Sequence, residues 1–191
     1  MMDKHWIPLQ SIPVAGKTIL LDDQRLWESP LREFGVTCRI LEPVTARVEI
    51  LPQAEGILFR GRLRGKVALP CDRCANDSVV VLDQRFDSFE PFPGEVLPGA
   101  HARNEEEQFG DVDEAVIRNA PNGRGIEINP SALAWEEFSL ALPVKPLCDE
   151  ACKGLCPVCG VNKNIESCAC EAERGDPRLA PLRGLTIQTK K

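Results

Sequence analysis

Between Cys148 and Cys170, six cysteines fall within 23 residues, spaced Cys148-x3-Cys152-x3-Cys156-x2-Cys159-x8-Cys168-x-Cys170, with no hydrophobic run between them. A segment built this way has no core to bury, so apolar burial cannot offset the entropy of ordering it. Tetrahedral coordination of a metal by thiolates can, with apparent binding of about 10–16 kcal/mol at neutral pH in small zinc modules. Within the segment, Cys156-Pro157-Val158-Cys159-Gly160 has the form of a zinc knuckle. Two residues between thiolates let the chain wrap one metal, Pro157 pre-sets the turn, and Gly160 permits the tight backbone beyond it.

A single zinc needs four ligands, and six are on offer. Cys156, Cys159, Cys168 and Cys170 form the preferred set, a knuckle and a second close pair on opposite sides of an eight-residue loop. Cys148 and Cys152 could replace the Cys168/Cys170 pair, because i,i+4 spacing puts both on one helical face. A two-metal cluster sharing all six thiolates is a third arrangement, and an iron–sulfur cluster would draw on the same ligands. The expectation is about one zinc per chain, held as a structural metal. A hydrolytic zinc keeps an open position beside His or carboxylate ligands, and the two histidines, His5 and His101, lie far off in sequence.

A further close pair sits in Leu69-Pro70-Cys71-Asp72-Arg73-Cys74. Between two strands, Cys71 and Cys74 could be half of a second zinc site, a redox dithiol, or buried thiols in a turn. A four-thiolate site here would have to recruit Cys148 and Cys152. The ninth cysteine, Cys38, reads as core. The N-terminus is broken by Asp3 and Pro8 before any secretory h-region develops, and no stretch approaches ~18 apolar residues. The expected location is therefore cytoplasmic, with no membrane partner, and clustered cysteines there are ligands or redox groups rather than disulfides.

Upstream, the pattern is that of strands. Val44, Ala46, Val48 and Ile50 alternate with Thr45, Arg47 and Glu49, Pro52–Gly56 makes a turn, and a longer alternation runs from Ile57 to Leu69. Gly61 and Gly65 fall on its apolar face, where a bulge or a close neighbouring backbone would explain them. Ser78 to Phe89 offers another strand, completing a twisted antiparallel meander. Sixteen prolines argue against long helices, leaving a short helix around Gln24–Trp27. A second is expected at about 130–142, with Asn129 as cap, Pro130 at the first helical position, and an apolar face of Leu133, Phe138 and Leu142. Most of residues 91–123, rich in Pro and Gly, reads as a solvated loop, and Ile126–Ile128 just beyond it could form a short strand.

The formal charge of −6 argues against a surface coated in cations for nucleic acid, but the charges are segregated. Six acids lie between Glu105 and Glu114 without a Lys or Arg, whereas the preceding half holds Arg39, Arg47, Arg60, Arg62, Arg64, Lys66, Arg73 and Arg85. Arg60, Arg62, Arg64 and Lys66 project from one strand face at about 6–7 Å intervals, which makes them the candidate contacts for nucleic-acid phosphates. The plainer reading is a solvated strand face that resists aggregation, and no aromatic residues interleave for base stacking.

Four linked motifs carry a family resemblance. Leu69-Pro70-Cys71-Asp72-Arg73-Cys74 and a β run are followed by Leu140-Ala141-Leu142-Pro143-Val144-Lys145-Pro146-Leu147-Cys148. Cys152-Lys153-Gly154-Leu155-Cys156-Pro157-Val158-Cys159-Gly160 comes next, and then Cys168-Ala169-Cys170 with Asp176-Pro177-Arg178-Leu179-Ala180. In this order, over about residues 36–185, they resemble the YceD-like family of large-subunit ribosomal RNA accumulation proteins. The resemblance implies a role in accumulation or maturation of that RNA, with a nucleic-acid or ribosomal partner and no known catalytic activity. Ala75 stands where the family usually has Leu, and Lys163 where it has Leu between Asn162 and Asn164.

The expected architecture is α+β: an antiparallel β-rich domain over 1–143 with one main helix, and a Cys-rich zinc module and tail over 144–191. The expected function is a non-enzymatic ribosome-biogenesis factor that binds ribosomal RNA or a ribosomal protein and takes no small-molecule substrate. Its rivals are a thiol-redox or metal-handling protein using Cys71 and Cys74, and a protein–protein adaptor whose zinc is purely structural.

Overall fold

The alternation of apolar and charged residues between Arg39 and Pro91 folds into three long antiparallel strands. In the computed structural model, which describes residues 6–94 and 116–170, the chain runs β1 (Ile7–Pro8), a 3-10 turn, β2 (Lys17–Leu21), α1 (Arg25–Glu33), β3 (Arg39–Pro52), β4 (Gly56–Pro70) and β5 (Asp77–Pro91). It continues with β6 (Ile117–Asn119), β7 (Ile126–Ile128) and α2 (Pro130–Ala141). Strands β2-β3-β4-β5 form one antiparallel sheet in that order, and β1-β7-β6 a smaller one. The β4–β5 hairpin stays in register from Gly56↔Pro91 to Pro70↔Asp77.

One face of the large sheet is the core. Val44, Val48, Ile50, Ile57, Phe59, Leu63 and Val67 are wholly buried there. Both glycines of the β4 apolar face have a packing reason. A Cβ on Gly61 would overlap the ring of Phe86, its cross-strand partner. One on Gly65 would lie 2.9 Å from Val44 Cγ2 and 3.0 Å from Val44 Cα, where β3 shifts register.

The core is closed by the two helices. Asn129 Oδ1 accepts from the Ala132 amide at 3.2 Å, so α2 starts where its cap and Pro130 place it. Trp27 of α1 and Phe138 of α2 are both fully buried, with ring centroids 5.5 Å apart. Helix α1 is longer than the expected Gln24–Trp27 turn and runs through Pro30 to Glu33. An interior proline costs about 3 kcal/mol, but Trp27, Pro30 and Leu31 are all buried on this helix, and burying each large apolar side chain returns roughly 1.5–3 kcal/mol.

Strand β6 falls inside the stretch 91–123, most of which reads as loop from the sequence. Ile117 to Asn119 pair with Ile126 to Ile128, which pair in turn with Ile7 and Pro8. Arg118 donates to Glu127 from Nε at 3.0 Å and Nη2 at 2.9 Å, and its guanidinium lies 3.8 Å from the centre of the Trp6 ring. The acidic run Glu105–Glu114 and both histidines lie outside the described residues. Among the described residues, no helix is long and apolar enough to cross a membrane.

Candidate functional site: two tetrathiolate centres and a charged sheet face

The tip of the β4–β5 hairpin and the C-terminal segment contain the same five-residue turn. In the first, the Ala75 amide donates to the Cys71 carbonyl at 2.8 Å and the Cys71 amide to the Asn76 carbonyl at 2.7 Å. In the second, Gly160 donates to Cys156 at 2.9 Å and Cys156 to Val161 at 2.8 Å. The residue after the second cysteine is left-handed in both, Ala75 at φ 59° and Gly160 at φ 74°. Each turn aims a pair of thiols into one small volume, so both Cys-x2-Cys pairs have knuckle geometry.

Each knuckle meets a second pair. Cys156, Cys159, Cys168 and Cys170 have their sulfurs within 4.8 Å of one another. Cys71, Cys74, Cys148 and Cys152 do the same. Cys148 and Cys152 thus do not replace Cys168 and Cys170, and the six C-terminal cysteines do not gather into one shared cluster. They sit on a turn rather than a helical face, with the Cys152 amide donating to the Asp149 carbonyl at 3.1 Å. Cys38 stands apart, half-buried against the main core.

The sulfur spacing fits a tetrahedral metal. With Zn–S bonds of about 2.3 Å, the edges of a thiolate tetrahedron are about 3.8 Å. Cys71 Sγ lies 3.9 Å from Cys152 Sγ, and Cys74 Sγ lies 3.5 Å from Cys148 Sγ. The first centre is enclosed, with Cys71, Cys74 and Cys152 buried; in the second only Cys156 is.

Electrostatics point the same way. The backbone amide of Cys148, helped by those of Arg73 and Cys74, lowers the Cys71 thiol to about 6, and the amides of Cys159 and Val158 lower Cys156 to about 6. Crowding by sulfur then raises others: Cys148 is pushed up to about 12, first by Cys74, and Cys170 to about 12, first by Cys159. Cys152 is lowered too, against its burial, by the side-chain amide of Asn164 and the backbone amide of Gly154. Amides thus prepare thiolates in both centres, and their neighbours cannot all ionise without a cation among them.

The first centre also fastens the C-terminal segment to the sheet. The Asp72 amide donates to the Pro146 carbonyl at 2.9 Å and Ser78 Oγ to the Leu147 carbonyl at 2.8 Å. Arg73 Nη1 donates to the carbonyls of Glu150 at 3.1 Å and Cys152 at 2.8 Å. Asn164, from the loop of the second centre, donates from Nδ2 to Cys152 Sγ at 3.3 Å and accepts at Oδ1 from the Lys153 amide at 2.7 Å. This amide bridge between centres is not visible in the cysteine spacing. Its one signal is the Asn162-Lys163-Asn164 pattern, where side-chain amides often replace backbone partners.

On the outer face of the large sheet, the Arg60–Arg62–Arg64–Lys66 stripe projects as its alternation predicts, but it is largely paired. Arg60 Nε donates to Asp87 at 2.8 Å, and Arg62 grips Asp83 through Nε at 2.5 Å and Nη2 at 2.6 Å. Arg64 reaches the same Asp83 at 3.5 Å, Lys66 pairs with Glu42 at 3.0 Å, and Arg39 pairs with Asp77. Two cations outside the stripe, Arg47 and Arg85, make no ion pair or side-chain hydrogen bond among the described residues. Arg47 lines a shallow depression of about 240 Å³ together with Thr18, Glu49, Arg60, Gly61 and Arg62.

Residues 59–186 match the family described as large ribosomal RNA subunit accumulation protein YceD. A relative from Arabidopsis thaliana, "Large ribosomal RNA subunit accumulation protein YCED homolog 1, chloroplastic", is 27% identical over 160 residues. The alignment covers 76% of this chain and 49% of the relative, so the chain spans about half the length of the curated relative it matches. No solved structure matches.

Proposed function

Because this chain belongs to the YceD family of large ribosomal RNA subunit accumulation proteins, we propose that it is a non-enzymatic ribosome-biogenesis factor. It supports accumulation or maturation of large-subunit ribosomal RNA by binding RNA or a ribosomal protein, in the cytoplasm, with one zinc in each tetrathiolate centre. The observation that carries this reading is the closed donor set of each centre. Four thiolates fill a tetrahedron and leave no position for substrate or activated water, so a metal bound there supplies shape and rigidity. The Cys71/Cys74/Cys148/Cys152 set joins the C-terminal segment to the hairpin tip, next to the cation-bearing sheet face.

The thiol-redox rival needs an accessible nucleophile. Cys71 has the lowered thiol such chemistry uses, yet it and Cys74 are each 3% exposed and share their volume with two further thiols. The adaptor rival differs only in the partner. Depletion of the protein should lower large-subunit relative to small-subunit ribosomal RNA. Crosslinking of the tagged full-length chain should recover large-subunit RNA or a large-subunit ribosomal protein. An unchanged RNA ratio on depletion would overturn the proposal.

A further inference from the structure

We infer that the outer face of the large sheet carries a phosphate-backbone site for RNA, built across the strands from Arg47, Arg62 and Arg85 rather than along β4. The inference rests on the RNA arm of the proposed function and names its binding surface.

Register carries the argument. Arg47 of β3 is directly opposite Arg62 of β4, and Arg62 is directly opposite Arg85 of β5. Three guanidinium groups therefore form a row across adjacent strands, spanning about 10 Å from β3 to β5. Like charges directly opposite in a sheet repel and cost stability, by up to about 1 kcal/mol a pair. Sequences ordinarily relieve this with acids, as the neighbouring rows do. One row of pairs places Glu49, Arg60 and Asp87 side by side, and another places Thr45, Arg64 and Asp83 together.

The arginine row lacks that relief. Its middle member borrows Asp83, which also serves Arg64 from the adjacent row. Its outer members have no acceptor among the described residues, although both are exposed. Across the face as a whole, the cations Arg39, Arg47, Arg60, Arg62, Arg64, Lys66 and Arg85 exceed the acids Glu42, Glu49, Asp77, Asp83 and Asp87, seven to five, on a chain whose total is −6. A guanidinium fork binds phosphate through two parallel hydrogen bonds. A strand of RNA crossing the sheet would supply the anions the row lacks, at Arg47 and Arg85 directly and at Arg62 in competition with Asp83. Glu49, in the depression beside Arg47, sets the limit of the site on that side.

The test uses the full chain and a labelled, mixed-sequence single-stranded RNA, with binding followed against salt. For the wild type, the logarithm of the binding constant should fall linearly with the logarithm of salt concentration. The Arg47→Ala/Arg85→Ala variant should bind at least about tenfold more weakly and lose about 1.4 from the slope, two contacts at about 0.7 each. Asp83→Asn frees Arg62 and Arg64, so it should tighten binding and steepen the slope. Arg124→Ala, an exposed cation in the β6–β7 turn, should change neither. A salt-dependent wild type with an unaltered double variant overturns the row and leaves the RNA reading standing. A wild type that ignores this RNA and captures a large-subunit ribosomal protein overturns both.

Discussion

Ala75 adopts a left-handed backbone, φ 59°, where a knuckle favours glycine, and it is the one non-glycine to do so among the described residues. The matching position of the second knuckle is Gly160, with the same amide-to-carbonyl bond to the first cysteine. A Cβ in this region is strained, so Ala75→Gly should stabilise the metal-loaded protein by about 0.5–1 kcal/mol, and Gly160→Ala should cost a similar amount. Urea midpoints of the two variants check this; a midpoint lowered by Ala75→Gly would mean the turn is set by something other than backbone sterics. The arginines teach a different lesson at the same scale. Alternation alone puts Arg60, Arg62, Arg64 and Lys66 on one face, and they are on one face. It does not tell which of them face an acid, because that depends on which residues of β3 and β5 lie opposite.

At the scale of elements, the β4–β5 hairpin and the segment after α2 are held together mainly at one end. Asp77 to Pro91 pair with β4 along their whole length, so the hairpin folds without help from the C-terminal segment. The segment has no such support: beyond a few hydrogen bonds and Leu147, its hold on the tip is through Cys148 and Cys152. Cys148→Ser should therefore raise amide hydrogen exchange across 146–152 and in the 71–76 turn, while β4 and β5 keep their protection. Cys170→Ser should raise exchange around 156–168 and leave the 71–76 turn protected. Equal deprotection of both regions by either variant would show that the two centres open as one unit.

For the whole molecule, two four-thiol groups could each hold a metal ion, where the spacing of the C-terminal cysteines leads to an expectation of one zinc. Purified protein should hold about two zinc ions per chain by elemental analysis. At pH 7.5, binding should release at least two protons per centre, since Cys74 and Cys148 in one, and Cys168 and Cys170 in the other, are raised above the ordinary 9.0. Calorimetry in buffers of different ionisation enthalpy reads that number. Cys71 and Cys156 give the reduced, metal-free protein a pH dependence of definite sign. Their folded values near 6 lie below the ordinary 9.0, so between those limits the unfolded chain binds more protons and stability rises with pH. That contribution is complete above about 9 and is lost as pH falls through about 6. A denaturation midpoint that falls between pH 6 and 8 would contradict it.

Local features of the sequence determined the meander, the cap at Asn129, the apolar face of β4 and the two Cys-x2-Cys turns, because each depends on residues within a few positions of one another. Period-two alternation selects a strand face, and a knuckle is specified by five consecutive residues. Only the tertiary structure decided the partners. Ile7 pairs with Ile128 and Ile117 does too, Cys71 meets Cys152, and Arg62 faces Arg47 and Arg85. A four-thiolate site at the hairpin tip has to recruit Cys148 and Cys152, but both lie far nearer in sequence to Cys156 than to Cys74, so spacing alone does not choose between the two. Chain direction after α2 and the length of β4 and β5 do that: together they carry Pro146 and Leu147 alongside Asp72 and Ser78, and the thiols that follow arrive where a buried pair already points.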